Sequence, residues 1–491
     1  MGKSKIPESL QKYFDQEFSQ ILEKEQIPGA SVVLLNQDDI LYMQGFGYRD
    51  LEKKKPVTTK TQFAIGSTSK AFTATVLGML VDEGKLKWDD LVIDYIPEFR
   101  MLDPVATMQL TVRDIQCHRS GLPRHDLAWL LGNFSRTELM EKMRYLEPFV
   151  PFRSLFHYNN FMWMVAGIVG ERITGKTWEE NVQERILKPL GMRDTNFSVD
   201  DMQKAHDYSY AYDAHSGEIK RIPPRDISAI GPAGSINAHI EDYAQWLAFN
   251  IKAGAHKGKQ LISAESLGEI HAPQMAIPVQ DELGQAFHMM EHFSDLVYTL
   301  GWVSVNYRGR AHVMHAGGID GYSSFLTFMP KEKIGAAVLT NSGGISKHYG
   351  IVLEIIDRYL GDEPIPWIEK ISALEKMGMD AEQKAEQEQA EKQIKGTSPS
   401  HALDAYCGSY THPAYGTIQI EQKNGVLGGL YNQIPCTLSH FHYDVFNLTI
   451  QDTRMEFKFP MQFFTSLDGQ IDRAQLPLEA KVKPIEFKKK A

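Results

Sequence analysis

The pattern of apolar and polar positions changes character several times along the chain. Residues 8–26 alternate apolar and polar positions at helical spacing, and the segments 30–35 and 40–48, joined by the polar residues 36–39, predict a pair of strands. From Ser67 to about residue 270 the pattern is mostly helical, with helices predicted over 69–83, 161–173, 177–187 and 240–253. Strands are then predicted over 300–307, 311–315, 323–329 and 335–341, before a helix over 348–359. Strands from both ends of this region, with helices between them, predict an α+β fold whose cleft lies where the two parts meet.

The pattern changes again near the C-terminus. Residues 374–393 are rich in Glu, Gln, Lys and Ala, and a Gly- and Ser-containing break follows at 396–400. Beyond it the apolar runs are short and alternating, with probable hairpin turns at Asn424-Gly425 and Asp468-Gly469. We therefore predict a main α+β domain over 1–360, a helical linker over 361–400 and a small antiparallel β-barrel or sandwich over 401–491.

Composition narrows the possible partners and compartments. A net charge of -10 and a pI near 6.0 argue against a nucleic-acid-binding surface. Three scattered cysteines, Cys117, Cys407 and Cys436, suit a reducing compartment better than a disulfide framework. The longest apolar stretch, 161–170, is far shorter than the roughly 20 residues of a membrane span. The N-terminus lacks the apolar core of a secretory signal, so the sequence as written predicts a cytoplasmic protein, or a periplasmic or secreted one if a signal peptide has been removed. The oligomeric state stays open.

One short motif suggests nucleophilic catalysis. Ser67-Thr68-Ser69-Lys70 is an S-x-x-K element, and residues i and i+3 share one face of a helix, so hydroxyl and amine can meet. A serine hydroxyl needs an adjacent base, and a desolvated lysine can serve as one. Ser9-Leu10-Gln11-Lys12 has the same spacing, but it lies near the terminus, where no enclosing cleft is expected, and we assign it no role.

Two further elements can complete a site around Ser67. Tyr158-Asn159-Asn160 lies just before the helix predicted from residue 161, so its side chains can project into a cleft. His315-Ala316-Gly317-Gly318 is predicted to end one strand and precede another, with small residues where a substrate backbone can approach.

The order S-x-x-K, Y-x-N, H-x-G resembles that of the class C β-lactamase and D-Ala-D-Ala carboxypeptidase family. The likeness extends over roughly residues 20–360, and the last 90 or so residues resemble the lipocalin-like barrel found in some peptidase-like members. Further matching segments are His118-Arg119-Ser120-Gly121-Leu122-Pro123, Lys188-Pro189-Leu190-Gly191-Met192, Gly321-Tyr322-Ser323-Ser324 and Leu339-Thr340-Asn341.

This resemblance implies roles for individual residues. Ser67 would be the acylated nucleophile, Lys70 its proton-transfer partner and Tyr158 the base of both half-reactions. The resemblance also implies substrate-binding and oxyanion residues, with the backbone N–H groups of Ser67 and Gly318 as the oxyanion hole: Asn160, His315, Gly317 and Gly318. Neither a metal nor another cofactor is implied.

One departure from the family pattern affects the expected substrate. Many β-lactamases have a lysine where this chain has His315, whose reference pKa of about 6.5 leaves it mostly neutral at pH 7. Arg308 and Arg310 are candidates for the missing positive charge. We therefore expect a serine hydrolase of amides or esters, acting on a D-amino-acid-containing peptide or a small ester as peptidase, carboxypeptidase or esterase. The alternatives are a β-lactamase and, from another class, a catalytically silent protein that binds cell-wall fragments.

Three other patterns are given structural interpretations. Residues 170–177 match the phosphate-binding G-x-x-x-x-G-K-[ST] pattern, but we predict a helix end at Gly175 followed by a capping box at Thr177. Residues 288–292 match H-x-x-E-H, and we predict a loop rather than a zinc site there. His118 is predicted to be a packed, hydrogen-bonded histidine outside the catalytic set.

Overall fold

The computed structural model describes residues 6–213, 218–290, 292–343 and 346–490. The chain forms two compact units, each assembled from separated segments. The first unit comprises Met1–Glu98, Gln109–Ser120 and Met162–Met377. The second comprises Phe99–Met108, Gly121–Phe161 and Gly378–Ala491. The sequence-derived boundaries at residues 360 and 400 stay predictions.

A nine-stranded sheet organises the first unit. Its strands, in chain order, are β1 (Gly29–Asn36), β2 (Ile40–Asp50), β3 (Lys55–Pro56), β4 (Met275–Ala276), β5 (Phe293–Tyr298), β6 (Val303–Tyr307), β7 (Arg310–Ile319), β8 (Tyr322–Met329) and β9 (Ile334–Thr340). The order across the sheet is β4-β5-β6-β7-β8-β9-β1-β2-β3, and neighbours are antiparallel. Strand β1 joins the two halves because it pairs with β2 on one side and β9 on the other. The predicted α+β fold is confirmed.

Helices cover both faces of this sheet. Side chains alternate between faces along a strand, so Phe325 and Phe328 of β8 point in opposite directions. Phe325 packs on Tyr349 of the helix Lys347–Leu360, with ring centroids 4.5 Å apart. Phe328 packs on Trp302, in the layer that contains the helices Ser69–Asp82, Ile240–Ile251 and Ala264–His271. Burial on both faces explains why β8 and β9 are apolar without clear alternation and buried throughout.

The remaining helices of the first unit are short. The predicted helix over 8–26 forms as Glu8–Lys12 and Phe18–Lys24 with a π-helical turn, Tyr13–Glu17, between them. A second π-helical turn, Gln183–Leu187, joins Trp178–Val182 to Lys188–Leu190. The other helices that lie within this unit are Val92–Tyr95, Val112–Gln116, Val199–Lys204, Gly231–Gly234 and Glu282–Met289. Helix Asn160–Thr174 begins at the edge of the second unit and continues into the first.

The second unit contains a closed barrel of eight antiparallel strands. The strands are β10 (Gly408–His412), β11 (Gly416–Lys423), β12 (Val426–Tyr431), β13 (Ile434–His442), β14 (Val445–Gln451), β15 (Glu456–Thr465), β16 (Ile471–Leu476) and β17 (Ile485–Lys489). Pairing of Tyr410 with Lys489 closes the barrel. Asn424 and Gly425 both have positive φ in the predicted two-residue hairpin turn. The predicted barrel is confirmed, in the up-and-down arrangement that lipocalins share.

Three further α-helices precede the barrel: Pro104–Gln109, which lies in the second unit up to Met108, Leu127–Leu130 and Arg136–Lys142. The Glu- and Gln-rich segment forms the long helix Trp367–Glu391, which runs from the first unit into the second. Within the described residues, no helix has both the length and the apolar character that crossing a membrane requires.

Candidate active site

Ser67 lies at the start of a buried helix. The strand pair Phe63–Ala64 and Asn237–Ala238 leads into a 3-10 turn, Gly66–Thr68, and helix Ser69–Asp82 follows directly. Across residues 61–80, all of them described, only Ser67 is not buried. A hydroxyl that remains accessible at the end of an otherwise enclosed helix is well placed to meet a substrate. We call residues 65–70, which include the predicted nucleophile Ser67, the nucleophile turn.

Lys70 reaches the nucleophile from one turn further along the helix. Its Nζ donates hydrogen bonds to Ser67 Oγ at 3.0 Å and to the carbonyl oxygen of Ala233 at 2.8 Å. The Lys70 residue is 0% exposed, so its amine has been removed from bulk water. The short helix Gly231–Gly234 supplies the carbonyl, and Thr73 donates to the preceding Pro232 carbonyl at 2.8 Å. The predicted meeting of hydroxyl and amine is therefore present.

Two glycines allow strand β7 to approach the nucleophile turn closely. A Cβ on Gly66, whose φ is +53°, would lie 2.8 Å from the backbone nitrogen of Gly318. One on Gly317 would overlap the carbonyl oxygen of Ile65 and lie 2.5 Å from Ser324 Oγ. That same carbonyl accepts hydrogen bonds from Thr68 Oγ1 at 2.9 Å and Ser324 Oγ at 2.7 Å. The turn and the strand are thus held together backbone against backbone.

The H-x-G element lies inside a strand, which corrects one sequence prediction. His315-Ala316-Gly317-Gly318 was predicted to end one strand and precede another, but β7 continues to Ile319. Gly317 pairs with Ser324 and Gly318 with Ser323 in the ladder to β8. The glycines do not break the strand here, because their role is to leave room for the nucleophile turn.

His315 is a neutral, buried group. Its Nδ1 lies 2.6 Å from the Ala316 carbonyl oxygen, which can only accept, so Nδ1 carries the proton. The other nitrogen, Nε2, then accepts from the Tyr298 hydroxyl at 3.0 Å. Burial and, after it, the nearby positive charge of Lys70 lower the pKa of His315 to about 3. A positively charged anchor for a substrate carboxylate is therefore missing at this position.

Arg308 and Arg310 do not replace that charge, so this candidate role is wrong. Arg310 begins β7, about 26 Å along the strand from Gly318 at about 3.3 Å per residue, and Arg308 lies two residues before the strand. Arg308 pairs with Asp357 at 3.3 Å, and Arg310 pairs with Asp362 at 2.6 Å. Each guanidinium is occupied by a carboxylate far from the nucleophile.

The Tyr158-Asn159-Asn160 element, which we call the tyrosine segment, belongs to the second unit. Asn159 is buried and donates from Nδ2 to the Pro123 carbonyl oxygen at 2.5 Å. Asn160 begins helix Asn160–Thr174, one residue earlier than predicted, and donates from Nδ2 to Asp126 Oδ1 at 3.1 Å. Tyr158 is partly exposed, and the Arg124 guanidinium carbon lies 5.1 Å from its ring centroid. Polar contacts to residues 123–126 therefore fix this segment.

Three residues that contact the predicted site were not predicted from the sequence. Tyr298 donates to His315, Arg124 lies over the Tyr158 ring, and Asp126 accepts from Asn160. A usable signal existed for the last two, because they directly follow the recognised segment that ends at Pro123. Tyr298 lies in β5 and carries no distinguishing pattern.

The segment 170–177 and His118 have the structures that the sequence predicts for them. Gly175 ends helix Asn160–Thr174 with φ +70°, and Thr177 forms a capping box with Glu180, so that prediction is confirmed. His118 is buried and accepts from Trp163 Nε1 at 3.3 Å, as predicted.

The predicted loop around residues 288–292 is wrong in part. Helix Glu282–Met289 includes His288, whereas His292 lies beyond the helix with φ +75° and residue 291 lies outside the described residues. Among the residues that the structure describes, no group of three or more His, Cys, Asp or Glu side chains is placed to hold a metal ion.

Comparison with known proteins assigns the family. Residues 14–350 match the family described as "Beta-lactamase", and residues 392–489 match a "Domain of unknown function (DUF3471)". The chain is 29% identical over 443 residues to the "Unguisins hydrolase ungD'" of Aspergillus campestris (strain IBT 28561), covering 84% of this chain and 79% of that protein.

Two solved structures show a similar fold. The octameric penicillin-binding protein homologue from Pyrococcus abyssi has a TM-score of 0.61 and 22% identity, over 98% of this chain and 99% of that one. A D-stereospecific amidohydrolase from Streptomyces has a TM-score of 0.55 and 22% identity, over 70% of this chain and 97% of that one. Because the beta-lactamase match covers more than half of the sequence, the chain belongs to the beta-lactamase family of serine hydrolases.

Proposed function

We propose that this protein hydrolyses amide or ester bonds through an acyl-enzyme formed on Ser67. The observation that carries the proposal is the 3.0 Å hydrogen bond between Lys70 Nζ and Ser67 Oγ, at the one accessible position of a buried stretch. An accessible serine bonded to a desolvated amine is the arrangement that activates a hydroxyl nucleophile.

The reaction has two half-reactions. In the first, Ser67 Oγ bonds to the substrate carbonyl carbon and gives its proton to Lys70 as Lys70 gives one of its own to the deprotonated Tyr158 oxygen, and Tyr158 then passes that proton to the departing amine or alcohol. In the second, a water molecule loses its proton to the same pair, attacks the acyl carbon and releases the carboxylic acid, and Ser67 regains its hydrogen. Tyr158 acts as the base in both halves of this proposal.

The oxyanion that forms on the carbonyl oxygen needs preorganised donors. We assign this role to the backbone N–H groups of Ser67 and Gly318. The close approach of Gly318 nitrogen to Gly66 supports the assignment, because it brings the two N–H groups to the same small region. Losing one such donor typically lowers the rate by about 10²–10³-fold.

The preferred substrate in this proposal is an amide or ester without a carboxylate beside the scissile bond. A neutral His315 offers no fixed positive charge to bind one. This favours peptidase or esterase action within a larger molecule over carboxypeptidase action. The printed name of the Aspergillus relative, a hydrolase of unguisins, agrees with hydrolysis, and the fold likeness to a D-stereospecific amidohydrolase led us to include D-amino-acid peptides among the test substrates.

A labelling experiment tests the chemistry. The intact protein is incubated with a fluorophosphonate, and the labelled peptide is identified by mass spectrometry. We expect one adduct, on Ser67, that is lost in Ser67→Ala. If ligands bind tightly while Ser67 stays unmodified, the protein is a silent binding protein and the proposal fails.

A substrate comparison then tests the specificity. The values of kcat/KM are measured for D-amino-acid amides, their L-enantiomers, short p-nitrophenyl esters and a penicillin. We expect esters or D-amino-acid amides to be turned over faster than the penicillin. Efficient penicillin turnover would identify the alternative function, a β-lactamase.

A further inference from the structure

His125 connects the barrel to the segment that precedes Tyr158, all within the second unit. It is 0% exposed, and its φ of +48° lies in the left-handed region that non-glycine residues adopt rarely. Its backbone N–H donates to Glu479 Oε2 at 2.8 Å, and Nδ1 lies 2.7 Å from the Tyr415 hydroxyl. Both partners belong to loops of the barrel, so the barrel contributes to holding this unusual backbone conformation.

The protons of this contact can be assigned. His125 Nε2 lies 2.9 Å from the Glu147 carbonyl oxygen, which can only accept, so Nε2 carries the ring proton. Burial lowers the pKa of His125, which favours the neutral ring. Nδ1 therefore accepts a hydrogen bond from the Tyr415 O–H. Each polar atom of this side chain has a partner with a defined direction.

The two barrel loops reach His125 together because of the barrel topology. In an up-and-down antiparallel barrel, the loops that follow the first and seventh strands lie at the same end. Tyr415 lies between β10 and β11, and Glu479 lies between β16 and β17. Tyr431 and Asn432 fix the Tyr415 carbonyl by donating to it at 3.1 and 2.8 Å. At the same end of the barrel, Lys142 Nζ donates a hydrogen bond to the Pro413 carbonyl oxygen at 2.9 Å.

The residues on either side of His125 contact the tyrosine segment. Arg124 lies over the Tyr158 ring and donates from Nε to Asp126 Oδ2 at 2.7 Å. Asp126 accepts from Asn160 through its other oxygen. A shift in the backbone of His125 would therefore move both contacts at once.

We propose that Tyr415 and Glu479 of the barrel are positioning residues for Tyr158, acting through His125 and its neighbours Arg124 and Asp126. The barrel is then part of what orients the catalytic base. This inference rests on the proposed role of Tyr158 in hydrolysis. Its experiment must therefore separate the failure of that role from the failure of the barrel contact.

The main variant pair removes the barrel contacts and leaves the tyrosine segment intact. In the full-length protein, Tyr415→Phe removes only the O–H that donates to His125, and Glu479→Ala removes the carboxylate. We expect the double variant to lower kcat about 10- to 100-fold, while KM stays within about twofold. Glu479→Gln keeps an oxygen that can accept the His125 N–H, so it should retain nearly the original kcat. If the double variant does not fold, Tyr415→Phe alone still removes one contact and is expected to lower kcat about 3- to 10-fold.

Matched controls lie elsewhere in the barrel. Tyr410→Phe removes another buried hydroxyl, which donates to the Tyr406 carbonyl at 2.9 Å, and Glu486→Ala removes a carboxylate on strand β17, which pairs with Arg473 at 3.5 Å. Both should keep kcat within about twofold of the original value. Equal losses in the controls and in the Tyr415 and Glu479 variants would overturn the inference, because a general loss of barrel stability would explain both.

A double-mutant cycle with Tyr158→Phe separates positioning from general damage. If the barrel contacts act through Tyr158, the Tyr415 and Glu479 changes should lower the rate of Ser67 labelling by less than about twofold once Tyr158 is replaced. If the Tyr415 and Glu479 changes lower the labelling rate by the same factor with and without Tyr158, the inference is overturned. If Tyr158→Phe slows the enzyme but the Tyr415 and Glu479 variants do not, the role of the barrel contact is rejected and the role of Tyr158 stands. An unaffected Tyr158→Phe enzyme would reject the role of Tyr158, and the inference with it.

Discussion

The nucleophile turn and the tyrosine segment hold their side chains by different physical means. Around Ser67 the structure relies on burial and on backbone approach, with Lys70 fully enclosed and two glycines allowing β7 to touch the turn. Around Tyr158 it relies on separate polar contacts from Arg124 and Asp126, and the tyrosine itself is partly exposed.

This difference has a consequence for how each region should respond to substitution. A close-packed region has no room for added atoms, so even a methyl group displaces its neighbours. In a region fixed by separate polar contacts, one substitution removes one contact, and each contact contributes roughly 0.5–3 kcal/mol. The predictions below test this contrast, beginning with the largest expected effect.

Replacement of the nucleophile should have the largest effect. We expect Ser67→Ala to lower kcat/KM about 10⁴-fold or more, because no other group can form the acyl-enzyme. Hydrolysis of a p-nitrophenyl ester measures the change. Ser9→Ala is the matched control, since Ser9 has the same S-x-x-K spacing on the exposed helix Glu8–Lys12 and should leave the rate unchanged. An active Ser67→Ala enzyme would place the nucleophile elsewhere.

Adding one methyl group beside the nucleophile turn should have the next largest effect. In Gly317→Ala the new Cβ would overlap the Ile65 carbonyl oxygen, so β7 must move away from the turn. We expect kcat to fall about 10²–10³-fold as the oxyanion donors separate, and the free energy of unfolding to fall by about 1–3 kcal/mol. Activity assays and urea unfolding measure the two effects.

Gly318→Ala is the control for this packing effect. A Cβ on Gly318 would meet no atom within 4 Å, so the free energy of unfolding should change by less than about 0.5 kcal/mol. Equal destabilisation by the two substitutions would show that the close approach of β7 to the turn is not what stabilises this region.

The apolar layer behind the nucleophile helix can be tested through its response to pH. The ring of His271, a partly exposed residue, packs between those of Trp302 and Phe328, with ring centroids 5.6 and 5.1 Å away, and desolvation of the ring there lowers the pKa of His271 from 6.5 to about 3. Below pH 6.5 the unfolded chain gains a proton that the folded His271 does not, so stability is lost as pH falls from 6.5 toward 3. Between pH 6.5 and 5 this loss amounts to about 2 kcal/mol, at about 1.36 kcal/mol per pH unit.

His271→Leu removes this proton uptake. Urea unfolding at pH 7.5 and pH 5 should therefore show a drop in unfolding free energy about 2 kcal/mol smaller in the variant than in the original protein. Between pH 7.5 and 9 the two proteins should change in parallel, because His271 is neutral in both states there. An identical drop on acidification in both proteins would contradict the desolvation of this histidine ring.

The sequence predicts the nucleophile turn well because its geometry is local. Ser67 and Lys70 are three residues apart on a helix, and that spacing alone brings hydroxyl and amine together. The sheet and the barrel were also predictable, since apolar runs and alternation follow directly from which faces are buried. By contrast, the predicted loop over residues 288–292 overlaps the end of the helix Glu282–Met289, because a short helix next to a proline-containing segment gives too weak a periodic signal.

The contacts that support the site could not be predicted in the same way. Tyr298 and His315, or Asp126 and Asn160, meet only after the chain has folded, and nothing in their spacing marks them as partners. The glycines of the H-x-G element gave a misleading local signal: a glycine pair usually suggests a strand end, whereas here it serves the close approach of β7 to Gly66. Tertiary contact, rather than local propensity, determined these positions.

The smallest predicted effect concerns a single polar contact of the tyrosine segment. Asp126→Asn keeps one carbonyl oxygen for Asn160 but turns an N–H group toward Arg124 Nε, so the hydrogen bond between Arg124 and position 126 is lost and we expect Arg124 to shift over the Tyr158 ring. We expect kcat to fall about 10-fold, equivalent to about 1.4 kcal/mol, with KM nearly unchanged. Glu138→Gln makes the same charge change in the same unit, and its capping box tolerates glutamine, so this control should keep the original kcat. If Asp126→Asn instead lowered kcat as strongly as Gly317→Ala, the tyrosine segment would be as intolerant of change as the nucleophile turn, and the contrast between packing and polar contacts would fail.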